Sequence, residues 1–253
     1  MGALPKPKTS IRLHKLPDKT RWAELKQEIA SRRERYLRER EGKPFTWCRG
    51  LATLSWHLAC YDVLEGFDAD AATHFDDAGR WACEALRDAP VEPGTWAPYL
   101  FDEMLLSAIA FASCIEVAPA AGVPEEVFHS PGVIGSPESY LLTRASQAWL
   151  RREDVNVSRL LDEILATPEL FPTIAAEAAA LRAIVNHDAP AVRDAVHGVV
   201  VAAKRRVRYL PSPVEGVVCR NGIALCRMAR TVGIEVEDQI YLPTRLLPTE
   251  PIR

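Results

Sequence analysis

Apolar positions along this chain recur three and four residues apart, separated by short polar or Pro/Gly-bearing stretches, which is the period of helices packed on one another. Residues 19 to 41 carry a narrow stripe, Trp22, Leu25, Ile29 and Tyr36, in a highly charged segment. This predicts a helix on the surface of a bundle, its Arg-rich face in water. A second helix, about 45 to 64, sets Trp47, Leu51, Leu54, Leu58 and Tyr61 on one face and Trp56, Cys60 and Val63 on another, so it is buried on two sides. Residues 71 to 86 turn Phe75, Ala78, Ala82 and Leu86 inward and leave Asp70, Asp76, Asp77 and Glu84 mostly to solvent. Residues 99 to 117 are the most apolar and belong in the centre.

The second half repeats short, closely connected helices. Ser136 as N-cap with Pro137 at the first helical position opens a helix to about 152, and others cover roughly 157–166, 171–187, 189–208 and 213–232. Asp188 before Pro190 and the capping box Ser212-Pro213-Val214-Glu215 mark starts, and Gly233 stops the last long helix. No alternating strand pattern exceeds Glu235 to Ile240. The spacing Ala71-x-x-x-Phe75-x-x-Ala78, after the turn Glu65-Gly66-Phe67-Asp68, is the second-helix signature of a tetratricopeptide-like hairpin. The expected fold is all-α, an irregular solenoid or bundle of antiparallel helical hairpins, tetratricopeptide-like in part. Residues 1–18, with Pro5, Pro7 and Pro17 among lysines, read as an extended arm before a single helical domain over 19–253.

With 253 residues, 48% of them apolar, the chain can bury a full core. Its most apolar run, Met104 to Ile115, is about half the roughly 20 residues a bilayer demands, and Met1 to Ser10 lacks the apolar region of a secretory signal. Cysteines at 48, 60, 83, 114, 219 and 226 show no Cys-x-x-Cys pair and read as buried free thiols of a reducing compartment. A cytoplasmic protein, away from membranes, is expected.

The net charge of −3 hides an asymmetry. Residues 1–49 hold 14 Lys/Arg against 6 Asp/Glu, whereas residues 62–126 hold 14 Asp/Glu against Arg80 and Arg87. Either the two blocks neutralise each other in the fold or the acidic block faces a basic partner.

Candidate chemistry is sparse. Glu126-Val127-Phe128-His129 stands in a Pro/Gly loop, and Asp194-Ala195-Val196-His197 is the nearest second match to a helical di-iron pattern. His74 and Asp77, one turn apart, are two ligands and not a site. Nucleophile-elbow, dinucleotide and phosphate-loop motifs are absent, and His57 reads as a core histidine. No catalytic residue, metal or cofactor is therefore expected, although three or more ionisable groups buried around a pocket would reopen an enzymatic reading. The basic runs Arg32-Arg33-Glu34-Arg35 and Lys204-Arg205-Arg206-Val207-Arg208 have structural explanations, in i, i+4 pairing and in the helix macrodipole, so nucleic acid is not the expected partner.

The C-terminal stretch Asn221-Gly222-Ile223-Ala224-Leu225-Cys226-Arg227-Met228-Ala229-Arg230, then Val232-Gly233-Ile234-Glu235-Val236, then Tyr241-Leu242-Pro243 with Leu246-Leu247, resembles the ending of the immunity protein 49 family. The resemblance implies a mostly helical bacterial protein that guards its cell against a polymorphic toxin. Its residues are packing residues: Leu225 and Met228 bury the last helix, and Tyr241-Leu242-Pro243 brings an apolar tail back as a clamp.

The leading expectation is a cytoplasmic immunity protein that binds a cognate toxin, a nuclease or other basic effector domain, through Asp62, Glu65, Asp68, Asp70, Asp76 and Asp77, with Trp81 or Trp96 as anchors. The same acids could instead solubilise the surface, complement a helix dipole, or pair internally with the Arg-rich first helix. The alternative function is a tetratricopeptide-like adaptor for a peptide or secretion-system component, which a concave groove lined by Asn, Arg and Tyr would favour.

Overall fold

The first four long helices stack in chain order, each antiparallel hairpin burying the apolar face of the last. These are α1 (Lys19–Arg38), α2 (Pro44–Glu65), α3 (Asp68–Arg87) and α4 (Pro98–Phe111). The computed structural model describes residues 19–39, 44–87, 98–122, 136–207, 217–239, 241–250 and 252. The expected arm over 1–18, the loops holding Trp96 and Glu126–His129, and the box at Ser212 lie outside these residues.

A short α5 (Cys114–Val117) and a 3₁₀ turn (Ala118–Gly122) follow α4. A second stack then forms from α6 (Pro137–Leu150), α7 (Asp154–Leu165), α8 (Pro172–Val185) and α9 (Ala189–Val207), and α10 (Arg220–Thr231) closes the chain. The fold is all-α, with no strand among the described residues beyond an isolated bridge between Gln239 and Leu242. Successive stacking would make a solenoid, but α10 returns to pack on α4 while also touching α8 and α9, so it joins the two stacks. One apolar cluster runs from Phe45 to Ile252.

Close approach sets this geometry. Ala71, Ala78 and Phe75 of the hairpin signature are buried, and Phe75 stacks on Phe111 with centroids 4.5 Å apart. Between α3 and α4 the tightest point is Gly79, where a Cβ would collide with the backbone of Phe111 and Ala112. Gly222 of α10 is held less strictly, since a Cβ there would stand 2.6 Å from Leu242 Cδ2, the end of a side chain that can shift.

Helix ends follow local chemistry where the sequence marks them. Ser136 accepts the Ser139 N–H at 3.2 Å ahead of Pro137. Gly233, with φ of 80°, ends α10 through Gly233 N–H to Arg230 O and Ile234 N–H to Ala229 O, a Schellman motif.

Two expected elements are corrected. The helix foreseen over 99–117 breaks after Phe111, because the Arg227 guanidinium, 1% exposed, donates to the carbonyl oxygens of Ile109 (3.0 Å) and Ala112 and so terminates α4. The last helix, expected from 213, starts at Arg220: Val217–Cys219 are non-helical, and the Cys219 N–H donates to Tyr241 O at 2.9 Å, binding this strand of backbone to the tail. Tyr241 and Leu242 are buried as the expected clamp. Cys48, Cys60, Cys83, Cys219 and Cys226 are buried and in no disulfide, and burial pushes Cys83, Cys219 and Cys226 up to about 12. No helix among the described residues is long and apolar enough to cross a membrane.

Candidate functional site

The acidic block divides into buried, paired and uncompensated groups. Asp62, expected on a contact face, is 1% exposed: α2 is covered by α1 and α3, so its carboxylate accepts from Lys26 Nζ at 2.7 Å and His74 Nδ1 at 2.6 Å. Burial alone would raise its pKa, but these two partners hold it below the ordinary carboxylate value. His74 thus pairs with Asp62, not with Asp77 one turn away, and Asp77 is taken by Arg33 of α1 and Arg80. Glu65 takes Lys26, and Asp68 forms a two-bonded pair with Arg245. Trp81 is also corrected: α3 lies between α2 and α4, so position 81 falls inside the core at 3% exposure and offers no anchor. Arg33, foreseen in water, turns inward and also donates to Ser55 Oγ.

Asp70 and Asp76 remain. Both are exposed, and neither has an ion-pair partner among the described residues. Burial of its flank, with Glu116 and Asp77 close by, raises Asp76 above the ordinary carboxylate value against the pull of Arg80.

A second site was not foreseen. A cleft of about 730 Å³ opens where α4, α6, α8, α9 and α10 meet. Trp56, from α2, lies in its wall with Arg220 stacked on the indole at 4.0 Å. Arg220 donates to Glu103 Oε1 at 2.7 Å and Ser107 Oγ at 3.2 Å. Across the cleft Glu177, 8% exposed, accepts from Asn221 Nδ2 at 2.7 Å. Asp102 accepts from Thr143 Oγ1 at 2.7 Å.

The two carboxyl groups of α4 differ. Burial works to raise Glu103, but Arg220, with Arg49 and His57 beyond it, keeps that carboxyl below its ordinary value. Asp102 faces a hydroxyl instead of a cation. Burial pushes it up to about 6, Glu103 adding to the effect while the Thr143 hydrogen bond and Arg220 oppose it. The cleft meets the condition set for an enzymatic reading, at least three ionisable groups around a pocket. Glu103 and Glu177 are each fixed by a neighbouring side chain, Arg220 and Asn221.

The sequence carried a signal for this site. Asp102-Glu103 interrupt the most apolar helix, Glu177 lies in an Ala-rich one, and Arg220-Asn221 open a third. Charged groups in apolar helices must be paired inside the fold, and here Glu103 pairs with Arg220, Glu177 with Asn221 and Asp102 with Thr143. No family model, curated protein or solved structure matches the chain.

Proposed function

We propose that the protein is a cytoplasmic immunity protein that binds a cognate antibacterial toxin and neutralises it, with the exposed acids of α3 contributing to capture. The observation that supports this reading is that Asp70 and Asp76 are exposed with no ion-pair partner among the described residues, and that Glu116 adds a like charge beside Asp76. Such a grouping is unfavourable in the free protein and is relieved by a basic partner surface, which it also attracts at long range. The C-terminal resemblance supplies the biological setting.

Asp70 and Asp76 are the residues to reverse, because Asp62 and Asp77 hold α1 in place. Asp70→Lys/Asp76→Lys should melt within a few degrees of the native protein yet associate about tenfold more slowly with the toxin it protects against, with a shallower dependence on salt. Survival of toxin-expressing cells, scored with native and doubly reversed protein co-expressed, tests the function. Equal association and equal protection would remove this face from the mechanism, and no protection by the native protein would overturn the immunity reading itself.

A second reading, a tetratricopeptide-like adaptor, has the Arg220 and Asn221 of the cleft in its favour, whereas the described lining holds three carboxyl groups and none of the tyrosine that such a groove was expected to carry.

A further inference from the structure

The cleft has amphipathic walls. Leu106, Leu142, Ile174 and Val218 are apolar, whereas, among the described residues of the lining, Asp102, Glu103 and Glu177 outnumber the one cation, Arg220. A lysine side chain has the same division, an aliphatic stem and a compact ammonium with three rotatable donors. Carboxyl groups approaching from two helices, α4 and α8, suit that point charge better than the planar fork of arginine.

Two further features favour a polypeptide over a free amine. The volume of about 730 Å³ lies within the roughly 300–1,000 Å³ of pockets that enclose a drug-sized ligand, which leaves room for backbone beside one side chain. At the mouth, Phe171 is 62% exposed and occupies the N-cap of α8, where a polar residue would satisfy the helix end. A large apolar side chain kept at such a position is suited to covering a ligand.

We propose that this cleft binds a lysine side chain of a partner polypeptide, the stem against Leu106, Leu142 and Ile174 and the ammonium at Asp102 and Glu177. The site shares no residue with the acidic face of α3, so it stands whether the partner is a toxin or another protein. Asp102 gives it a pH dependence. With Glu103 beside it on α4, Thr143 on α6, Glu177 on α8, Arg220 on α10, and Arg49 and His57 of α2 acting on Glu103, its carboxyl ionises near pH 6 and then gains its attraction for a cation.

The test is calorimetric titration of the full chain with the blocked pentapeptides Ac-Ala-Ala-Lys-Ala-Ala-NH2 and its arginine and norleucine counterparts, and with cadaverine. The lysine peptide should bind tightest, with norleucine at least about tenfold weaker. Asp102→Asn keeps an oxygen for Thr143 and should lower lysine affinity about tenfold at pH 7.5 while abolishing the rise between pH 5 and 7. Phe171→Ser changes an exposed side chain, so the protein should fold normally and bind several-fold more weakly. Equal affinity for lysine and norleucine, or no binding of either, would overturn the proposal, as would arginine binding tighter than lysine. Cadaverine binding as tightly as the peptide would overturn the polypeptide as occupant. Because these variants leave Asp70 and Asp76 intact, failure here is distinct from failure of toxin capture.

Discussion

Asp62 shows how one residue changes meaning with its surroundings. In the sequence it is the first of a run of acids. In the fold it fastens α1 and α3 to α2 through Lys26 and His74. Asp62→Asn should lower unfolding free energy by about 2–3 kcal/mol at pH 7, less than the roughly 3–5 of a fully buried broken pair because both partners keep some solvent. Its pKa is lower in the folded than in the unfolded chain, so its stabilisation is complete above the ordinary carboxylate value and disappears as pH falls through the folded one. Urea midpoints of native and variant protein should therefore differ at pH 7 and converge as pH falls below the ordinary carboxylate value. A gap independent of pH would mean that packing, not charge, holds this position. No pattern in the sequence could have separated Asp62 from Asp70, because the difference lies in what packs above each.

At the level of elements, the sequence specified helix existence and several ends, while long-range contacts decided the rest. Ser136 with Pro137, and Gly233 after Thr231, carry their own capping chemistry and were readable. The break after Phe111 depends on Arg227, and the late start of α10 depends on Tyr241, so neither boundary has a local mark. The charged residues of the cleft were visible as interruptions of apolar helices, but their meeting was hidden for the same reason, since separate helices contribute them. Helix contacts also make opposite predictions for two glycines. Gly79→Ala should cost about 3 kcal/mol, because the new methyl meets the α4 backbone and neither helix can yield without moving. Gly198→Ala, where a Cβ would meet Ala176 Cβ at an ordinary 3.7 Å, should stabilise by about 0.5–1 kcal/mol through helix propensity. Paired thermal melts check both signs, and a stabilised Gly79→Ala would show that α3 and α4 lie farther apart than described.

For the molecule as a whole, α10 is the element on which both stacks depend. Arg227 reaches into the end of α4, and the tail through Tyr241 and Leu242 closes over α10 from outside. Arg227→Ala should cost about 3–5 kcal/mol, a large share of the roughly 5–15 available to a protein domain. Arg227→Lys should recover part of this loss, since an ammonium can satisfy one carbonyl with less reach. Denaturant titrations that find the alanine variant as stable as native would remove α10 from this role. The cap also has a consequence during translation. Arg227 is 118 residues downstream of Ile109, so at about 5–20 residues per second α4 waits roughly 6–24 seconds after leaving the ribosome before its terminal carbonyls find their donor. During that interval the first stack is an unfinished product, visible to chaperones and proteases. A ribosome that stops before codon 227 releases a chain whose central helix remains uncapped, so the fold itself separates completed copies from truncated ones.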